Sequence, residues 1–128
     1  MQKNPSLLTL RDALRAFADE RDWNQFHSPK NLAMALIAEA GELVEHFQWM
    51  TEAQSAQLSP QQREEVALEL ADVLLYLVRL ADRLDIDLAQ AATKKIQINA
   101  EKYPAGRARG SSKKYTAYVA DDAGNSRP

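Results

Sequence analysis

Residues 59–84, SPQQREEVALELADVLLYLVRLADRL, decide the fold. Ser59, Pro60 and Gln62 supply an N-cap, a first-turn proline and a capping-box partner, so a helix begins here and runs over about 60–84. From Val66 to Ala81 its only charged residues are Glu69, Asp72 and Arg79. On a helical wheel Val66, Leu70, Val73, Leu77 and Leu84 form one stripe, while Leu68, Leu75 and Val78 fall on the opposite side. A helix apolar nearly all round must be buried nearly all round. Four helices of this length cannot easily enclose one of their own members. The expectation is therefore an oligomer in which a second subunit covers the far side: a homodimer at least, or a homotetramer built as a dimer of dimers.

The neighbouring segments are helical too, and no strand pattern competes with them. Thr9 and Asp12 resemble a capping box for a first helix over about 10–21, with Leu10, Leu14, Phe17 and Ala18 on its apolar side. Ser28 and Pro29 open a second helix that runs to about Thr51. Asp87 and Gln90 cap a fourth, which Pro104 must end. The pattern predicts an all-α four-helix bundle over residues 1–106. Residues 107–128 form a basic C-terminal loop and tail, in which Gly106, Gly110, Ser111 and Ser112 break regularity and the last dozen residues read as disordered.

A chain of 128 residues suits one domain, and 45% hydrophobic with 27% charged residues is ordinary globular composition. The absence of cysteine excludes disulfides and thiolate metal sites. The net charge of −2 is uneven: residues 1–106 carry 16 acidic and 11 basic side chains, whereas the basic tail holds Arg107, Arg109, Lys113, Lys114 and Arg127. An acidic body repels nucleic acid polymers, so none is expected as partner. No apolar run approaches the roughly 20 residues that span a bilayer, and residues 1–9 lack a signal-peptide core, so no membrane partner and a cytoplasmic location are expected.

Four carboxylates carry the chemistry. Glu39 and Glu42 lie one turn apart on the second helix, and Glu69 and Asp72 repeat that spacing on the third. Glu39 sits among Leu32, Leu36 and Leu43, and Glu69 beside Tyr76 and Leu80. Carboxylates there lose hydration and repel one another, and the inward faces of both helices offer no Lys or Arg to offset this. A hard divalent cation fits: Mg²⁺, or Mn²⁺ as a substitute, takes oxygen ligands from carboxylates and substrate phosphates. Ala40 and Gly41 would let the third helix approach closely at this level. A di-iron bundle of the ferritin kind needs Glu-x-x-His pairs, and the residue three before His46 is Leu43, so that reading fails. His46 itself is expected to be exposed.

The spacing Glu39-x-x-Glu42, 26 residues, Glu69-x-x-Asp72 resembles the metal motif of the MazG-like, all-α NTP pyrophosphatase superfamily. The segments Arg21-Asp22-Trp23 to Phe26-His27, Pro29 to Leu32, Glu42-Leu43 to Phe47-Gln48-Trp49 and Asp72 to Leu77 look like its dCTP pyrophosphatase branch. So do Asn99, Tyr103-Pro104, Arg109 to Ser111 and Lys114 to Thr116. The resemblance implies that Glu39, Glu42, Glu69 and Asp72 coordinate Mg²⁺. It also implies water attack between the α- and β-phosphates of a (deoxy)nucleoside triphosphate, dCTP or a modified dCTP foremost, yielding the monophosphate and pyrophosphate as nucleotide-pool house-cleaning. In the family, active sites lie between subunits of a dimer or tetramer. At Leu14 the sequence departs from dCTP-specific relatives, which carry a base-contacting histidine there. The rival from another class is a catalytically idle oligomeric helical module that binds nucleotide or metal as a sensor.

Substrate-side candidates each have a plainer structural alternative. Trp23 and Trp49 either stack on a base, a contact worth on the order of 1–3 kcal/mol, or close the bundle ends. Tyr76, one turn beyond Asp72, either meets the sugar, favouring deoxynucleotides, or bounds the core. Lys95, Asn99 and Lys102 form a basic-polar stripe suited to phosphates, or snorkel. His27 either orients the base or closes its loop, and Arg107–Lys114 either covers phosphates or is solvated.

Overall fold

The structure is a computed structural model that describes residues 4–110, 112, 116 and 117. Residues 118–128 of the expected disordered tail and the Lys113–Lys114 pair lie outside the described residues. Among those described, all regular structure is helical: α1 (Leu7–Glu20), α2 (Pro29–Glu45), α3 (Glu52–Ser55), α4 (Pro60–Arg83), α5 (Leu88–Lys102) and α6 (Ala105–Ala108), with a 3-10 turn at Asn24–Phe26. The chain divides into two compact units, residues 1–88 and 89–128. No helix among the described residues is long and apolar enough to cross a membrane.

The caps explain most of the boundaries. Ser59 accepts from the Gln62 amide while the Gln62 side chain accepts from the Ser59 amide, the reciprocal box expected for α4. Ser28 caps α2, and Pro29 occupies its first turn. Two expectations need correction. The cap of α1 is Ser6, whose hydroxyl accepts from the Thr9 amide, so the helix starts a turn earlier than the Thr9–Asp12 pattern suggested. Helix α2 ends at Glu45, not near Thr51. Thr51 instead forms its own capping box with Gln54 and starts the short α3. A strong local cap there competes with helix continuation and wins.

In the first unit α4 packs chiefly against α2 and also against α1. Among the described residues the buried apolar side chains are few: Ala18, Leu32, Val66, Val78 and Ala81. The wheel of α4 is therefore only half right within one chain. Val66 and Val78 are buried, but Leu70 at 53% and Leu68 at 65% exposure face outward, as do Leu74, Leu77 and Leu84. Ile37, Met34 and Val44 of α2 are exposed as well. A β-carbon added at Gly41 would meet nothing within 4 Å, so the glycine is not what lets α4 approach α2 in this chain.

Candidate active site

The α2–α4 contact brings the two acidic pairs together. One carboxylate oxygen from each of Glu39, Glu69 and Asp72 lies within 4.8 Å of the others. Glu39 Oε2 and Glu69 Oε2 are buried and have no hydrogen-bond partner. Burial pushes the Glu39 carboxyl above the usual range, reinforced by hydrogen bonding to Glu42 and by the charges of Glu42, Asp72 and Glu69. Orphaned carboxylate oxygens in an apolar groove are costly unless a cation completes them. The all-oxygen donor set suits a hard divalent ion, so these residues fit Mg²⁺ or Mn²⁺.

A cleft of about 260 Å³ opens beside the cluster, with Asp72, Tyr76 and Arg79 of α4 on one wall and Phe17, Trp23 and His27 among its other lining residues. The exit from α1 places Trp23 there. Asp22 takes a left-handed conformation at φ 52°, and the Trp23 and Asp22 amides donate back to the Ala18 and Asp19 carbonyls. This is a Schellman closure, and it turns the indole back onto the helix it has just left. The Trp23 ring then stands edge-on to Phe17 at 5.6 Å and to His27 at 6.2 Å. Such edge-to-face pairs hold the indole in place on the cleft wall.

Arg79 was not anticipated as a site residue. The expectation that the inward face of this helix lacks Arg fails, because Arg79 is only 5% exposed. Its Nε donates to His27 Nδ1 at 3.1 Å, its Nη2 donates to Asn24 Oδ1, and its Nη1 donates to Asp82 Oδ2 at 3.5 Å. Asp82 also accepts from Arg15 Nε at 2.8 Å. That pair holds the Asp82 carboxyl below its usual range. Desolvation lowers the His27 pKa first, and the Arg79 and Arg83 charges lower it further. The sequence did hold a signal. Arg79 is the one cation in the apolar run Val66–Ala81, three residues after Tyr76 and seven after Asp72, on the same helical side. His46 is a second surprise: it is part-buried, not exposed, with Nε2 3.7 Å from Glu69 Oε1.

Of the predicted site residues, Glu39, Glu69 and Asp72 converge, Glu42 adjoins Glu39, and Trp23, His27 and Tyr76 join Asp72 in the cleft. Trp49 does not join them. It follows the end of α2 at 89% exposure. Lys95, Asn99 and Lys102 lie on α5, where Lys95 and Asn99 are exposed.

Among the described residues the chain is all helical, and its acidic cluster between α2 and α4, beside an aromatic cleft, is an arrangement suited to metal-assisted hydrolysis. Residues 35–117 match the model of the MazG-like family. Over 114 residues the chain is 49% identical to dCTP pyrophosphatase 1 of Homo sapiens, covering 88% of this chain and 67% of that one. The corresponding Rattus norvegicus protein, also dCTP pyrophosphatase 1, is 47% identical over the same shares. A crystal structure of a pyrophosphatase from Archaeoglobus fulgidus superposes with a TM-score of 0.73 at 37% identity, covering 81% of this chain and 97% of that one. The chain belongs to the MazG-like family, in its dCTP pyrophosphatase branch, and is an enzyme of the nucleoside triphosphate pyrophosphohydrolase class.

Proposed function

We propose that this enzyme hydrolyses dCTP, or a modified dCTP, to the monophosphate and pyrophosphate in a Mg²⁺-dependent reaction that clears the nucleotide pool. The single observation that carries the metal dependence is the pair of buried, unpartnered oxygens on Glu39 and Glu69 beside Asp72. The names of the relatives support the substrate.

Glu39, Glu42, Glu69 and Asp72 would hold the ion. Bound there, Mg²⁺ supplies charge neutralisation for the triphosphate and a lowered pKa for the attacking water. The chain's own groups do the rest. Trp23, backed by Phe17, offers a face for the base, and Tyr76 offers its ring to the sugar. His27 orients the base, while Lys95, Asn99 and Lys102 of α5 serve as phosphate contacts. Trp49, outside its own chain's cleft, would reach nucleotide only across a subunit boundary. This proposal includes a four-helix bundle over residues 1–106 with a basic tail, assembled as a dimer or tetramer in the cytoplasm. An idle sensor module is disfavoured, since all four carboxylates are present and the relatives carry enzyme names.

The test is a panel of nucleoside triphosphates with Mg²⁺, read by pyrophosphate release. Glu42→Gln or Asp72→Asn should lower turnover at least about 100-fold while the oligomer survives. Undiminished turnover in either variant refutes the assignment.

A further inference from the structure

We propose that Arg79 is a positioning residue that sets base specificity: by donating to His27 Nδ1 it fixes the imidazole as an Nε2–H donor. The cleft thereby takes a pyrimidine whose ring position 3 is an acceptor, as in cytosine, and rejects one that carries N3–H, as in thymine or uracil. The inference rests on the reading of this cleft as the base pocket of a nucleoside triphosphate pyrophosphohydrolase.

A guanidinium has five N–H donors and no acceptor, so the 3.1 Å contact between Arg79 Nε and His27 Nδ1 has one polarity. Nδ1 must be the bare nitrogen, and the neutral ring then carries its proton on Nε2. Burial and the nearby Arg79 and Arg83 charges keep that ring neutral. The guanidinium cannot swing away to release the tautomer. Asn24 Oδ1 and Asp82 hold its other nitrogens, Asn24 Nδ2 is itself committed to Asp19, and Asp82 is committed to Arg15. The Arg83 Nε donates to the His27 carbonyl at 3.1 Å and anchors the backbone behind the ring.

Discrimination follows from donor arithmetic. The discriminating contact is from Nε2–H to ring position 3, where cytosine presents the bare N3 as an acceptor; O2 accepts in cytosine, thymine and uracil alike and does not tell them apart. Thymine and uracil carry N3–H at that position, and an N–H opposite an N–H leaves both unpaired, which is costly beside a half-buried ring. A histidine free to exchange tautomers would instead accept that proton at Nε2 and lose the distinction. The Tyr76 hydroxyl donates or accepts equally and cannot restore it.

The experiment compares kcat/KM for dCTP and dTTP in the wild type, Arg79→Met and Arg79→Lys, and assigns the His27 tautomer by ¹⁵N NMR in each. The wild type should favour dCTP and show the Nε2–H tautomer. Arg79→Met, which keeps the unbranched buried stem but no donor, should shrink the dCTP/dTTP ratio about tenfold, mostly through a lower KM for dTTP, and should mix the tautomers. Arg79→Lys keeps a donor and should keep both properties. A folded, active Arg79→Met with an unchanged ratio overturns the proposal, as does an Nδ1–H tautomer in the wild type, which is decisive even if Arg79→Met fails to fold. A wild type that is active on dCTP and dTTP alike overturns the role of Arg79 alone. A wild type that hydrolyses no triphosphate overturns the enzyme reading itself, and the specificity role with it.

Discussion

At the scale of single residues, the chemistry is set by which side chains are denied water. Glu39 and Glu69 each keep one carboxylate oxygen buried without a partner, and Arg79 spends its charge on a histidine, an amide and an aspartate in place of the acidic cluster. The carboxylates were legible in the sequence, because an acidic pair inside an apolar stripe is conspicuous by spacing alone. Arg79 and His46 were not read, because their partners His27 and Glu69 lie far along the chain and wheel position alone does not say which of several polar residues turns inward. The His27 shift makes a prediction here. Its folded pKa lies below the ordinary 6.5, so between those two values the unfolded chain binds a proton that the folded chain does not. Stability contributed by the neutral ring is thus complete above the ordinary value and declines as pH falls from 6.5 through the lowered one. Melting temperature should fall with acidification across that window in the wild type, and the slope should flatten in His27→Gln. Identical slopes in the two proteins would count against a half-buried neutral His27.

At the scale of elements, caps outweigh periodicity. The α4 boundary was readable because Ser59, Pro60 and Gln62 agree, and the structure forms both bonds of the box. The end of α2 was misread because the apolar pattern through Phe47 and Trp49 continues past the point where Thr51 and Gln54 close a box of their own. Likewise Ser6 supersedes Thr9 at the start of α1, where both residues can cap and the earlier one wins a further turn of helix. Ser59→Ala should cost about 1 kcal/mol of stability, seen as a lower denaturant midpoint with an unchanged m-value. A shift within error of zero would mean that packing of α4 against α2, and not the cap, fixes its start. The cleft also depends on element geometry. Without the left-handed turn at Asp22, Trp23 would not fold back beside Phe17 and His27.

At the scale of the whole molecule, one chain buries too little to account for its composition. Among the described residues, five buried apolar side chains, only one of them as large as leucine, contrast with exposed Leu68, Leu70, Leu74 and Leu77 on α4 and Ile37 and Met34 on α2. In the proposed dimer or tetramer these residues would form the subunit interface. Light scattering coupled to size exclusion should therefore give a mass of two or four times 14.4 kDa. A monodisperse monomer at micromolar concentration would contradict the oligomer. The all-round apolar pattern of residues 66–81 was legible in the sequence as a need for cover. Which side the chain covers by itself was not, since that depends on how α1 and α2 are placed against α4.

The most direct test of the account is a ³¹P NMR record of dCTP incubated with the wild-type protein, with and without Mg²⁺. The expected result is dCMP and pyrophosphate in equal amounts with Mg²⁺ and none when the metal is chelated. Formation of dCDP and orthophosphate, or turnover indifferent to chelation, would contradict it.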